Sequence, residues 1–273
     1  MSEQTDPNLD KLEAHRFQVP EHSADVLHQF RTEVRAFISD HPEIVGVTVY
    51  GSQVKGTARE TGDPNGKSDV DAFIFIDEDL ASLPSEANTG VSTTAESDNW
   101  QQVNEKIGKP FRDIFSKNAG YTEQQMKDVR VRLLSQNRID NDINAMSHYL
   151  TALIKSENGQ GERLPLDQRP MSDVARLFHL QLGKNLDVYR SYVLHELKQF
   201  GEIGDKIWEE FFYQDNLSQE NGKLVKGMGE DAIQFQEKRK KLYPHTVDQA
   251  IQYFQLGEVE PKYKREEKVD SSK

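Results

Sequence analysis

The chain has 273 residues and no cysteine, which excludes disulfides and thiolate metal centres. Its 34 basic and 46 acidic residues give a formal net charge of -12, a balance that argues against a long polynucleotide as main substrate, because gripping backbone phosphates calls for a basic face. A mean hydropathy of -0.78 beside 35% hydrophobic residues fits a soluble globular protein, and no apolar run approaches the ~20 residues of a membrane span.

Residues 1–20 are polar and acidic and lack the apolar core of a signal peptide, so the expectation is a flexible arm on a cytoplasmic protein. A helix is predicted from Ser23 to Asp40. Leu27, Phe30, Val34, Phe37 and Ile38 fall on one stripe, and His41-Pro42 ends it. Ile44 to Tyr50, rich in β-branched residues, reads as a strand that stops at Gly51-Ser52. Lys55-Gly56 follows, and the turn formers Thr61 to Lys67 read as an extended loop tip.

Val70 to Ile76 is a mostly apolar run, as expected of a strand covered on both faces, and it opens with Asp69 and Asp71. Residues two apart on a strand share a face, so these carboxylates should project together, opposite the Gly-Ser turn. Two like charges held so close repel unless a cation sits between them. Hard cations such as Mg²⁺ take one or two carboxylates plus substrate phosphates, while glycine followed by serine lets backbone N–H groups and a small hydroxyl approach a phosphate. Carboxylates facing such a turn point to phosphoryl or nucleotidyl transfer.

Gly51-Ser52, Lys55-Gly56 and Ser68-Asp69-Val70-Asp71 followed by an apolar strand resemble the signature of the DNA polymerase β-like nucleotidyltransferase superfamily. The resemblance is specific around Val47 to Ile76, with a spacer a few residues longer than usual, and it covers about the first half of the chain. It implies an α+β fold, a small mixed sheet with flanking helices over residues 21–141 and then an all-helical domain over 142–258. It also implies Mg²⁺ held by Asp69 and Asp71, with nucleoside triphosphate phosphates, ATP foremost, over Gly51 and Ser52. An acceptor hydroxyl would attack the α-phosphorus and pyrophosphate would leave. A small-molecule acceptor suits the acidic chain better than a long nucleic acid.

Further along, residues 81–98 read as a long insertion loop, and a helix is predicted from about Asn99 to Lys117. Asp128 to Ser135 alternates, with Val129, Val131 and Leu133 facing one way and Asp128, Arg130 and Arg132 the other. The family carries a third carboxylate on a strand near this place, as metal ligand and base. Asp128 is the candidate, although the mid-strand positions hold Arg130 and Arg132, which could clamp a triphosphate instead. Asp140 and Asp142 are weaker alternatives for that acid and read rather as caps of the next helix, Asp142 to Ser156.

A link from Asn158 to Pro170 precedes a long predicted helix, Ser172 to Phe200, with a stripe through Leu177/Phe178, Leu182, Leu186, Tyr189 and Val193. The resemblance offers Lys184 or Arg176 on it as triphosphate ligands, beside Lys55, against the plainer reading of charges on a solvated helix face. Further helices are expected at Ile203–Tyr213, Glu230–Leu242 and from Thr246, where Gln249 completes a capping box. Glu237 to Lys241 reads as an exposed charged face, no histidines stand at metal-ligand spacing, and residues 259–273 read as a disordered tail. A second reading keeps the fold without turnover, as a nucleotide-binding or protein-interaction module. The uncertain third acid motivates it.

Overall fold

The computed structural model describes residues 13, 15–58, 68–77, 103–118, 121–126, 129–161, 173–213 and 230–257. The loop at Thr61 to Lys67, the 81–98 insertion, Asp128 and the 259–273 tail lie outside the described residues.

Helix α1 (Glu21–Ser39) starts two residues before the predicted Ser23, directly after Pro20, whose ψ of 143° is extended. Leu27, Phe30, Val34, Phe37 and Ile38 are all buried, as their spacing requires. Strand β1 (Ile44–Tyr50) has the predicted bounds, and a single helical turn, α2 (Ser52–Lys55), follows it. Strand β2 (Asp71–Asp77) runs antiparallel to β1, pairing Tyr50 with Asp71 and Thr48 with Phe73. A wider turn at Asn104–Gly108 leads into α3 (Lys109–Asn118), whose Phe111 packs edge-on against Phe30 and Phe37 of α1. Strand β3 (Val129–Leu134) lies parallel to β2, with Ala72 opposite Val129.

Helix α4 (Gln136–Glu157) begins six residues before the predicted Asp142. Its cap is Ser135, whose Oγ accepts from the Arg138 N–H at 3.3 Å. Asp140 and Asp142 therefore lie inside the helix and do not cap it, and Asp140 accepts a hydrogen bond from the Tyr192 hydroxyl at 2.5 Å.

The long helix predicted over 172–200 is not there. A short 3₁₀ turn (Val174–Phe178) leads into strand β4 (Leu180–Leu182), and only then does α5 (Asp187–Gln199) begin. β4 pairs antiparallel with β1, Thr48 opposite Gln181. Leu180 and Leu182 flank a glutamine with period two, and the helical stripe through Leu177, Leu182 and Leu186 hides it. Gly183, at φ +93°, then breaks the run, since any side chain there would be strained. Its Cα also faces Ile38 of α1, where a Cβ would come within 2.9 Å.

Among the described residues four strands thus form one mixed sheet in the order β3-β2-β1-β4, an α+β arrangement whose edge strand comes from the half predicted to be helical throughout. One face is apolar and buried: Val47, Val49, Ala72, Ile74, Val129, Val131 and the two β4 leucines. By alternation and register the other face carries Thr48, Tyr50, Asp71, Phe73, Arg130, Arg132 and Gln181.

Among the described residues helices α6 (Glu202–Ile207), α7 (Glu230–Leu242) and α8 (Val247–Tyr253) follow, α8 with the predicted Thr246–Gln249 capping box. Phe178, Trp208, Phe212 and Phe254 cluster edge-to-face and stacked, and the Trp208 indole N–H donates to the Pro244 carbonyl at 2.9 Å. No helix among the described residues is long and apolar enough to cross a membrane.

The flexible-arm reading fails from residue 13 onward. Phe17 is in the core, and Glu13 meets the fully buried Arg190, Oε1 to Nη2 at 2.7 Å. Arg190 also donates from Nε to the Leu177 carbonyl at 2.8 Å and from Nη2 to the His179 carbonyl at 2.9 Å. Polar composition concealed this, because a buried ion pair adds two charged residues to the sequence.

Candidate active site

The register that pairs Tyr50 with Asp71 places the end of β1 beside the start of β2. There the chain turns sharply at Gly51, φ +71° and ψ -152°, a conformation that L residues rarely adopt. The Val54 and Lys55 amides donate to the Gly51 carbonyl at 3.2 and 3.0 Å, and Gly56, at φ +77°, ends the turn. A Cβ on Gly51 would lie 1.9 Å from Oδ2 of Asp71, so the carboxylate fills the space that only glycine leaves open.

Asp69 and Asp71 are both half-exposed, while Val70 between them is buried and its amide donates to the Gln125 carbonyl at 3.2 Å. β2 begins at Asp71, so Asp69 precedes the strand, with Val70 turned inward between the two aspartates.

Lys55 lies in the field of the Asp71 carboxylate, and further cations gather on the same side of the sheet. Lys55 is half-buried, and its pKa falls to about 8 because burial penalises the ammonium and Arg176 and Arg239 repel it, with Asp71 pulling the other way. Arg176, on the 3₁₀ turn before β4, lies with its guanidinium 5.4 Å from the ring centres of both Tyr50 and Phe73. Its backbone carbonyl accepts from the Thr48 hydroxyl at 3.1 Å, which fixes the turn to β1. Arg132 stacks 5.2 Å from the Phe73 ring centre and its Nε is 2.8 Å from Oδ2 of Asp173. Arg130 and Arg132 both add to the positive field at Arg176. His179, 5.3 Å from the Tyr50 ring, is buried among these cations, and burial first, then Arg176, hold its pKa well below the ordinary value. It is neutral at physiological pH.

The predicted residues divide. Gly51, Ser52, Lys55 and Asp71 come together, with Asp69 two residues before Asp71. Lys184 does not join them. It sits in the turn after β4, and its Nζ donates to the Ile44 carbonyl at 2.7 Å, at the opposite end of β1 from Gly51. The misread helix is the reason: as a strand followed by a turn, the segment carries Lys184 away from the carboxylates, and Arg176 stands on the near side instead. Asp128 lies outside the described residues. Among the described residues, no three His, Cys, Asp or Glu side chains converge as a metal cage.

Sequence reasoning overlooked Arg239. The run Glu237 to Lys241 reads as a solvated face, yet Arg239 is 3% exposed, and its Nη1 donates to the Val54 carbonyl at 3.1 Å. The available signal was its place one turn after Phe235, which puts both on the inner side of α7.

Comparison with known proteins adds no relative: no family model, curated protein or solved structure matches this chain.

Proposed function

We propose that this chain is a Mg²⁺-dependent nucleotidyltransferase of the DNA polymerase β-like kind, moving a nucleoside monophosphate from a nucleoside triphosphate, with ATP as donor, to a hydroxyl acceptor. One observation carries the reading: the Asp71 carboxylate rests against the Cα of Gly51, so the acid and the Gly-Ser turn are one local unit. A turn that merely reverses the chain has no need of a carboxylate in that space.

The donor set fits Mg²⁺. Asp69 and Asp71 supply hard oxygen ligands, the number this ion takes when substrate phosphates provide the rest, and they are the residues that would hold it. Bound there, Mg²⁺ would neutralise charge on the phosphates and on the attacking and leaving oxygens. The chain's own part is positioning and field. Gly51 and Ser52 would receive the β- and γ-phosphates, and Lys55 and Arg176 would offset their charge in a partly dewatered site, where each pairing is stronger than in water. The acceptor oxygen attacks the α-phosphorus, the bond from that phosphorus to the β-bridging oxygen breaks, and pyrophosphate leaves. Asp128 is the proposed third carboxylate and proton acceptor. With a net charge of -12, the proposed acceptor is a small molecule.

Incubation with Mg²⁺, each of the four nucleoside triphosphates and a panel of hydroxyl acceptors tests this. Acceptor-dependent pyrophosphate release is expected. Its absence across the panel, with no nucleotide bound, contradicts the proposal.

Two outcomes follow from the geometry. Gly51→Ala forces a Cβ onto the Asp71 carboxylate and holds an L residue at φ +71°. The strain costs about 1–2 kcal/mol of stability, read in denaturant melts. Displacing Asp71 by an ångström lowers turnover on the order of a hundredfold.

The second outcome concerns pH. In the nucleotide-free protein the Lys55 ammonium gives up its proton around pH 8. Phosphates favour the charged form and raise that value, so binding takes up a proton. Nucleotide affinity therefore falls as pH rises through about 8, by at most about tenfold per unit, and Lys55→Met flattens this limb. Titration calorimetry in buffers of different ionisation enthalpy measures the proton directly.

A further inference from the structure

We propose that α7 is a clamp on the Gly-Ser turn, with Arg239 and Gln236 as positioning residues that hold the turn ready for the triphosphate. The nucleotide part of this inference rests on the function proposed above.

A helix of four residues leaves its last carbonyls without partners inside the helix. In α2 two of them are taken by one distant element: Arg239 Nη1 donates to the Val54 carbonyl at 3.1 Å, and Gln236 Nε2 donates to the Lys55 carbonyl. The third contact is steric. The Phe235 ring lies against Gly56, so close that a Cβ on that glycine would come within 2.6 Å of it. Three residues within two turns of one helix, Phe235, Gln236 and Arg239, more than 170 residues downstream, therefore meet three successive residues of the turn. Arg239 is 3% exposed and its guanidinium lies 5.9 Å from the ring centres of both Phe17 and Phe235, which fixes its aim. Within the turn itself, the Val54 and Lys55 amides reach back to Gly51, and the Gly56 and Thr57 amides to Ser52. The clamp therefore adds, on the carbonyl side, to the core packing of Gln53 and Val54 that holds this short segment. A turn ordered beforehand spends less of the nucleotide's binding energy on being ordered.

Charge and positioning are separable by substitution. Arg239→Met removes both, Arg239→Lys keeps charge without the planar fork, and Gln236→Leu removes a neutral donor and leaves every charge in place. Hydrogen exchange at the turn amides reads the clamp without nucleotide, and Mg-ATP titration reads its use. Amides of residues 52–57 are expected to exchange about tenfold faster in Arg239→Met and about threefold faster in Gln236→Leu, with the β1–β2 ladder unchanged. The Kd for Mg-ATP is expected to rise by similar factors, with kcat at saturation within about twofold and partial recovery in Arg239→Lys.

Unchanged turn exchange in folded variants overturns the clamp, as does acceleration spread evenly over the chain. Faster turn exchange with an unchanged Kd overturns its role toward nucleotide. If the wild-type protein binds no Mg-ATP, the proposed function fails with that role, while the exchange data still decide whether α7 holds the turn.

Discussion

Asp71→Asn lowers pyrophosphate release by on the order of a thousandfold while the protein stays folded. The side chain is half-exposed and asparagine has nearly its volume, so the space against Gly51 remains filled and the β1–β2 register is kept. What disappears is the charge. An amide oxygen cannot replace a carboxylate as the anionic partner of Mg²⁺, and the several kcal/mol of transition-state stabilisation that the ion supplies go with it. Lys55 loses its attractive neighbour too, which pushes its pKa further down and weakens its hold on phosphate. The loss therefore falls on kcat and on nucleotide affinity together. Asp40→Asn, at an exposed carboxylate just after α1, is the control expected to change neither. Steady-state kinetics beside thermal melts separate this from unfolding. A variant that melts normally and still turns over at a tenth of the wild-type rate removes Asp71 from the chemistry.

The largest expected loss of stability lies elsewhere. Arg190→Met costs about 3–5 kcal/mol, because it takes from the buried Glu13 carboxylate its nearer cation and leaves only Arg16, Nη1 to Oε2 at 3.6 Å. The guanidinium has no exposure, and besides Glu13 it serves the Leu177 and His179 carbonyls and lies 3.4 Å from Asp187. Those carbonyls lie just before β4, so the loss reaches the segment that bears Arg176 and leads into the sheet edge. Glu13→Gln is milder, since the arginine keeps Asp187 and both carbonyls. The double variant Glu13→Leu/Arg190→Met recovers part of the loss, as apolar replacement of a buried pair often does. Denaturant melts measure all three. Equal stability of Arg190→Met and wild type contradicts the account of Glu13 as a buried partner that holds the N-terminal segment to the core.

The contrast between these two places shows what the sequence discloses. β1 and the apolar strand that Asp71 opens were legible because short-range rules govern them: β-branched residues run to a glycine at Gly51, and an apolar run follows Asp71. The carboxylate against Gly51 was legible only as a tendency, since the Tyr50–Asp71 register that creates it is a pairing between strands. β4 was not legible. It has three residues, its leucines also fit a helical stripe, and its stability comes from joining β1 at the sheet edge. From that one misreading follow the wrong position for Lys184 and the underrated Arg176. Arg239 and Glu13 were missed for a related reason: a charge whose partner is more than a hundred residues away looks, in sequence, like any solvated charge.

The central claim is that the turn and the carboxylates act on the α-phosphate of a nucleotide. It is tested most directly with ATP labelled at the α-phosphorus in one reaction and at the γ-phosphorus in another, each with Mg²⁺ and the acceptor panel. The account predicts that the α label moves to the acceptor, that the γ label appears in pyrophosphate, and that Asp69→Asn/Asp71→Asn abolishes both. Transfer of the γ label to the acceptor would make the protein a phosphotransferase and contradict the account. So would nucleotide bound and returned intact, which would leave a binding module built on the same turn.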